Sequence, residues 1–180
     1  MRIKSSETIA LMIDYQERLV PVMNEKEQFV HNSAILVEGI KKLGVPIIVS
    51  QQYTKGLGNT ISEISTVIGE YSPNDKLTFS CVQNEDILHK IQCFDVKNVI
   101  VCGCEAHICV LQTVIDLLGI GLNVVLVEDC IASRKKSDLQ ASIIRARQEG
   151  ALIATYESIL FELCEMAGND TFKFISKLIK

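Results

Sequence analysis

The sequence lacks a clustered basic surface. Lysine and arginine total 18 against 22 aspartates and glutamates, a formal net charge of −4, and the densest basic group is Arg134, Lys135 and Lys136. Binding through phosphate neutralisation needs clustered basic side chains, so nucleic acid is not an expected partner. No uninterrupted apolar segment approaches membrane-spanning length, so no membrane association is expected. Nor is an export signal expected, because the apolar stretch Ile9–Ile13 is short, ends in Asp14 and has no small-residue cleavage site after it. No repeat, low-complexity tract or linker divides the 180 residues, and one domain over 1–180 is expected. The cysteines number seven, an odd count, and several sit in apolar runs, as Cys102 does in Val99–Gly103. A chain of this length can fold without staples, so buried reduced thiols in a cytoplasmic protein account for them better than a disulfide framework.

Apolar residues make up 48% of the chain and charged residues 22%, a balance that supports an ordered core. An apolar run followed by an amphipathic stretch recurs along it. Thr8–Ile13, Ile47–Ser50, Val99–Cys102, Val124–Val127 and Leu152–Thr155 are short and nearly continuous in hydrophobicity, the pattern of parallel strands covered on both faces. Lys76–Ser80 is expected to be a further short strand. Between them lie helical signals. Asn24 with Glu27 three residues on can cap a helix carrying Val30, Ala34, Val37, Leu36, Ile40 and Leu43, stopped by Gly44. Ile87, Leu88 and Ile91 make a shorter stripe. Cys109, Thr113, Val114 and Leu117 share a face, and Ser137 can cap a helix with Leu139, Ile143 and Ala146 inward, ended by Gly150. Thr171–Lys180 reads as a terminal helix packed on its own domain or a neighbouring subunit. The alternation predicts an α/β fold: a three-layer, doubly wound, mostly parallel sheet with helices on both faces and right-handed crossovers.

In such a sheet, sites form where strand carboxyl ends meet loops and helix N-termini. Three reactive side chains fall there: Asp14 after the first strand, Lys76 at the short third one, and Cys109 a few residues beyond Val99–Cys102. Each has a plain alternative as a turn residue, a solvated lysine or a core thiol. Together they suit a thiol nucleophile. Helix N–H groups and an ammonium would lower the cysteine pKa, and a carboxylate could accept the thiol proton and return it to a leaving group. His107, two residues from Cys109, would point to another helix face. Cys102, Cys104 and Cys109 lack the paired spacing of a metal site, and Lys55, Gly56 and Gly58 lack that of a P-loop.

The order Asp14, Lys76, Cys109, with the last in the string GCEAHICVLQT, resembles the isochorismatase-like cysteine hydrolases over most of the chain. Within them it is most similar to the isochorismatase domain-containing proteins, through DYQERL at Asp14–Leu19, QQYTKGLG at Gln51–Gly58 and SRKKSDLQASIIRARQEGALIATYES at Ser133–Ser158. The resemblance implies Asp14 as general acid/base, Cys109 as nucleophile and Lys76 as the charge that orients and activates both. It further implies a non-proline cis peptide between Cys104 and Glu105, and an oxyanion hole from the amides of Glu105 and Cys109. Gln16, Gln51, Gln52 and Tyr53 are expected to line a pocket for a small-molecule substrate, and a homo-oligomer, dimer or tetramer, is expected.

Two departures narrow this expectation. Nicotinamidases of the superfamily bind a metal through an Asp-x-His motif and a further histidine after the second strand. Here that stretch reads Gln51, Gln52, Tyr53, and no histidine lies between His31 and His89, so no metal and no cofactor are expected. Isochorismatases proper cleave a vinyl ether and generally lack the nucleophilic cysteine. Metal-independent hydrolysis of an amide-like C–N bond through a thioester fits better. A vinyl-ether hydrolase and a non-catalytic binding member of the fold stay as alternatives.

Overall fold

The computed structural model describes residues 2–180. In chain order the strands are β1 Thr8–Ile13, β2 Ile47–Gln52, β3 Asn74–Lys76, β4 Asn98–Cys104, β5 Asn123–Ala132 and β6 Leu152–Ala154. The helices are α1 Lys26–Lys42, the single turn α2 Thr54–Leu57, α3 Ser62–Ile68, α4 Glu85–Gln92, α5 Leu111–Gly119, α6 Lys136–Glu149, α7 Tyr156–Cys164 and α8 Asp170–Leu178. The strands form one sheet in the order β3-β2-β1-β4-β5-β6, with every pairing parallel. Among the described residues, no helix is long and apolar enough to cross a membrane.

Successive side chains of a strand point to opposite faces, which is why the central strands are apolar throughout. Ala10, Met12, Ile100, Cys102, Val125 and Val127 enter one core with Leu36, Ile40, Ile64, Ile159 and Leu160 of α1, α3 and α7. Ile9, Leu11, Ile13, Val99 and Val101 enter the other with Ile87, Ile91, Val114, Leu117 and Ala146 of α4, α5 and α6. Thus the helices cover both faces of the expected doubly wound sheet.

Three local readings are corrected. Lys76 closes the third strand rather than opening it, and residues 77–80 run on as irregular chain. Asn24 and Ser137 do not cap: α1 starts after Glu25 in a left-handed conformation and α6 after Lys135, neither with a side-chain cap. By contrast, Thr155 and Ser158 form a reciprocal capping box at α7, a helix that sequence periodicity did not single out, and neither was α3.

The sheet order reverses between β1 and β4, so the chain leaves these neighbouring strands in opposite directions and opens a crevice at their carboxyl ends. The crevice demands a close backbone approach. Gly103 pairs with Ile13 at φ +126°, and a Cβ there would stand 2.0 Å from the Ile13 carbonyl oxygen. Only glycine meets both requirements. Gly103→Ala is therefore expected to destabilise the fold by about 3 kcal/mol or more, from strain plus a clash with rigid backbone. Urea denaturation checks this; a loss below about 1 kcal/mol would show that the two strands can separate freely at this point.

Candidate active site

Asp14 follows β1 directly, and Cys109 lies just beyond β4, so the two flank the sheet's reversal point. The backbone at Asp14 is left-handed, φ +54°, a conformation that aspartate tolerates better than most residues. Its N–H donates to the Ser50 carbonyl at 3.2 Å, and its carbonyl accepts from Gln16 N–H and the Cys104 thiol. These bonds turn the carboxylate inward, where its side chain has no exposed surface. Oδ1 accepts from Ser50 Oγ at 2.8 Å, and Oδ2 from Lys76 Nζ at 2.8 Å.

Lys76 is equally inaccessible. Its ammonium also meets Gln52 Oε1 at 2.7 Å and the carbonyls of Phe79 and Thr78 at 3.1 and 3.3 Å. The irregular chain after β3 therefore serves to wrap carbonyls around this cation. Burial is the largest single influence on Lys76 and opposes its charge, but the Asp14 carboxylate, its hydrogen bond and the nearby Cys81 and Cys109 together raise the ammonium pKa. A buried ion pair is tolerable only when its remaining hydrogen-bonding capacity is met, as it is here.

Cys109 sits in a wide helical turn, Ala106–Val110, that precedes α5. The Cys104–Glu105 peptide at its head is cis. Ile108 and Val110 both donate their N–H to Glu105 O, at 3.0 and 3.2 Å. Cys109 is 6% exposed, and its Sγ stands 4.0 Å from Gln52 Oε1. Burial, then the nearby Asp14 carboxylate, push the thiol pKa up, and Lys76 only partly counters them. This reverses the expectation of a thiolate stabilised by helix and ammonium.

Of the four expected pocket residues, two are engaged elsewhere. Gln16 clamps the end of β2, with Oε1 accepting from Gln52 N–H at 2.7 Å and Nε2 donating to the carbonyls of Gln52 and Gly58. Gln51, one residue from Gln52 on the strand, takes the opposite face and bonds Thr60 and Thr54. Gln52 does reach the site, and Tyr53 is exposed at its rim. His107 turns to Ser133, Nδ1 to Oγ 2.9 Å, with Asp138 beyond Nε2.

Sequence reasoning missed three contributors, Ser50, Thr113 and Cys81, and the side-chain role of Glu105, which it had named only for its backbone. Ser50 holds Asp14; a serine ending an otherwise apolar strand was the available signal. Thr113 ties the nucleophile's turn to the opposite loop, donating to Cys109 O at 2.7 Å and accepting from Cys81 N–H at 2.9 Å. Glu105 accepts from both the N–H and Nε of Arg134, at 3.2 and 2.9 Å, which fixes the turn's head. Cys81 is a second buried thiol, 3.6 Å from Ser50 Oγ, that burial pushes up to about 11. Among the described residues, no group of three or more His, Cys, Asp or Glu side chains is arranged to hold a metal ion.

Comparison with known proteins agrees with this architecture. The family model described as isochorismatase domain matches residues 8–158. A Phytophthora sojae protein named secreted isochorismatase effector Isc1 is 38% identical over 96% of this chain and 84% of its own length. Isochorismatase domain-containing protein 2 of Danio rerio is 33% identical over 99% of this chain and 89% of its own. A solved structure titled MAR1 ribonuclease, from Caenorhabditis elegans, superposes with a TM-score of 0.93 at 33% identity, covering 99% of this chain and 92% of that one.

Two predictions follow from the electrostatics. Lys76→Met strands a buried carboxylate and is expected to lower stability by about 3–5 kcal/mol, part of it recovered by adding Asp14→Asn. Urea denaturation of the three variants checks this. The buried thiols Cys81 and Cys102 have pKa values raised from 9.0 to about 11 and about 12 by burial. A raised folded-state pKa gives stability that is complete below the unfolded value and lost as pH climbs through the folded one. Stability should therefore decline from about pH 9 upward, and less so in Cys102→Ala. An identical alkaline slope in that variant would contradict the assignment.

Proposed function

The chain belongs to the isochorismatase family, whose members are hydrolases, and we propose that it is a metal-independent cysteine hydrolase cleaving an amide-like C–N bond of a small molecule. The observation that carries this reading is the buried Cys109 thiol, its pKa pushed up by burial and by the nearby Asp14 carboxylate that Lys76 and Ser50 hold in place. Asp14 takes the thiol proton as sulfur attacks the acyl carbon, so no free thiolate accumulates. Charge moving onto the carbonyl oxygen is received by the N–H groups of Glu105 and Cys109. The intermediate collapses to a thioester on Cys109 as Asp14 returns its proton to the leaving nitrogen. The same carboxylate then activates water, which releases the acid and restores the thiol. Lys76 keeps its proton throughout and holds the carboxylate in line.

The site's enclosure favours small substrates. The ribonuclease name of the nematode structure is not extended to this chain, because a net charge of −4 without a clustered basic surface does not suit a phosphate polymer. All seven cysteines are free, which suits a reducing compartment, and we place the protein in the cytoplasm although one relative is described as secreted. A homo-oligomer, dimer or tetramer, is the assembly we favour; exposed Ile120 and Ile144 on the α5–α6 side give such a contact apolar surface.

Cys109→Ala is expected to reduce turnover of an amide panel by about a thousandfold or more with the fold intact by circular dichroism. Undiminished turnover in that variant would overturn the reading and favour a binding role for the domain.

A further inference from the structure

The hydrolytic chemistry leaves one reactive group of the site unused, the Cys81 thiol. Cys81 and Cys109 are free thiols packed in the same core, on the face of the sheet that α4, α5 and α6 cover, whereas Cys102, Cys104 and Cys130 belong to the opposite core. Two hydroxyls join the pair. Thr113 Oγ1 donates to Cys109 O at 2.7 Å and accepts from Cys81 N–H at 2.9 Å, so one side chain holds both backbones. The Cys81 thiol donates to Ser50 Oγ at 3.6 Å, and Ser50 donates in turn to Asp14 Oδ1 at 2.8 Å. The proton of Cys81 thus has a path to the same carboxylate that receives the proton of Cys109. Lys76 lies close enough to feel a charge on either sulfur. Cys81 itself belongs to the irregular chain between β3 and α4, where neither strand nor helix fixes its position.

We propose that Cys81 is the resolving thiol of a peroxide-sensitive switch, in which it closes a reversible disulfide with Cys109. This adds a regulation to the site and rests on the reading of Cys109 as a nucleophile whose proton Asp14 accepts. Hydrogen peroxide is little larger than water, which suits a thiol that is 6% exposed. The Cys109 sulfur attacks one peroxide oxygen as its proton passes to Asp14. A sulfur–oxygen bond forms, the oxygen–oxygen bond breaks, and the departing hydroxide takes that proton and leaves as water, with a sulfenic acid on Cys109. Cys81 then attacks the Cys109 sulfur while its own proton moves through Ser50 to Asp14. The disulfide forms, the sulfur–oxygen bond breaks, and the second hydroxide leaves with that proton as water. The two sulfurs together give up two electrons, and both peroxide oxygens end in water. A disulfide forms only between closely spaced backbones, the arrangement that a single hydroxyl bonded to both favours. Burial, which pushes the Cys81 thiol up to about 11, keeps it from reacting with peroxide on its own account. With its sulfur in the disulfide, Cys109 cannot attack substrate until a small thiol reduces the bond by exchange, the transient use of disulfides open to a protein in a reducing compartment.

The full chain, reduced and then freed of reductant, is exposed to hydrogen peroxide, and every cysteine is mapped by non-reducing peptide mass spectrometry. A Cys81–Cys109 link is expected, with iodoacetamide labelling of Cys109 falling by about tenfold or more and returning after dithiothreitol. In Cys81→Ala, and in Cys81→Ser should the smaller side chain upset folding, Cys109 is expected to pass on to sulfinic acid and to stay unlabelled after dithiothreitol. Sulfinic acid at Cys109 in the unaltered chain, or a link from Cys109 to a different cysteine, overturns the switch and leaves the nucleophile standing, because either shows a reactive Cys109. Peroxide that oxidises the exposed Cys93 while Cys109 stays a thiol overturns the switch and counts against the nucleophile as well.

Discussion

The buried ion pair between Asp14 and Lys76 is the interaction on which the rest of the site depends. Two opposite charges with no solvent contact are costly unless every remaining valence is met, and the chain is arranged around meeting them. Ser50 ends β2 where its hydroxyl reaches one carboxylate oxygen. The chain after β3 abandons strand geometry so that its carbonyls can face the ammonium. Gln52 supplies the last acceptor and, through it, a contact to the thiol. The result is a carboxylate held by two fixed partners in a dry setting. Cys109 can then remain a thiol at rest, because its proton has a destination within the site.

Much of this fold was legible from the chain. Continuous apolar runs such as Thr8–Ile13 and Val99–Cys102 could only be strands covered on both faces, and the helices between them followed from their stripes. The sheet's reversal between β1 and β4 was not legible, since nothing local encodes the order of strands. Short elements escaped for the opposite reason. The seven residues of α3 are too few for a periodic signal, and β3 is only three residues, fixed by its neighbour β2 rather than by its own composition. Capping was misread at Asn24, which lies in the turn before Glu25, and at Ser137, which already stands inside α6.

The site divides in the same way. Asp14, Lys76 and Cys109 could be picked out because each lies at a strand end and their order resembles a known constellation. Gln16 could not be told from Gln52 by sequence, because backbone partners 36 and 42 residues away lock it into the frame, whereas Gln51 is held by the nearby Thr54 and Thr60 on the other face of the strand. The direction of the Cys109 pKa was also misjudged. Helix N–H groups and a cation argue for a thiolate, yet desolvation and the adjacent carboxylate outweigh them once the thiol is seen to be buried. The correction strengthens the role of Asp14, which changes from a helper of an already ionised sulfur to the group that must take its proton.

The central claim is that catalysis passes through an acyl group on Cys109 formed with Asp14 as the proton acceptor. Time-resolved intact-protein mass spectrometry during turnover of a small amide tests it most directly. The account predicts a transient mass increase equal to the acyl fragment without its amine, localised to Cys109 and absent when Asp14 is replaced by asparagine. Steady hydrolysis with Cys109 unmodified at every time point would contradict it.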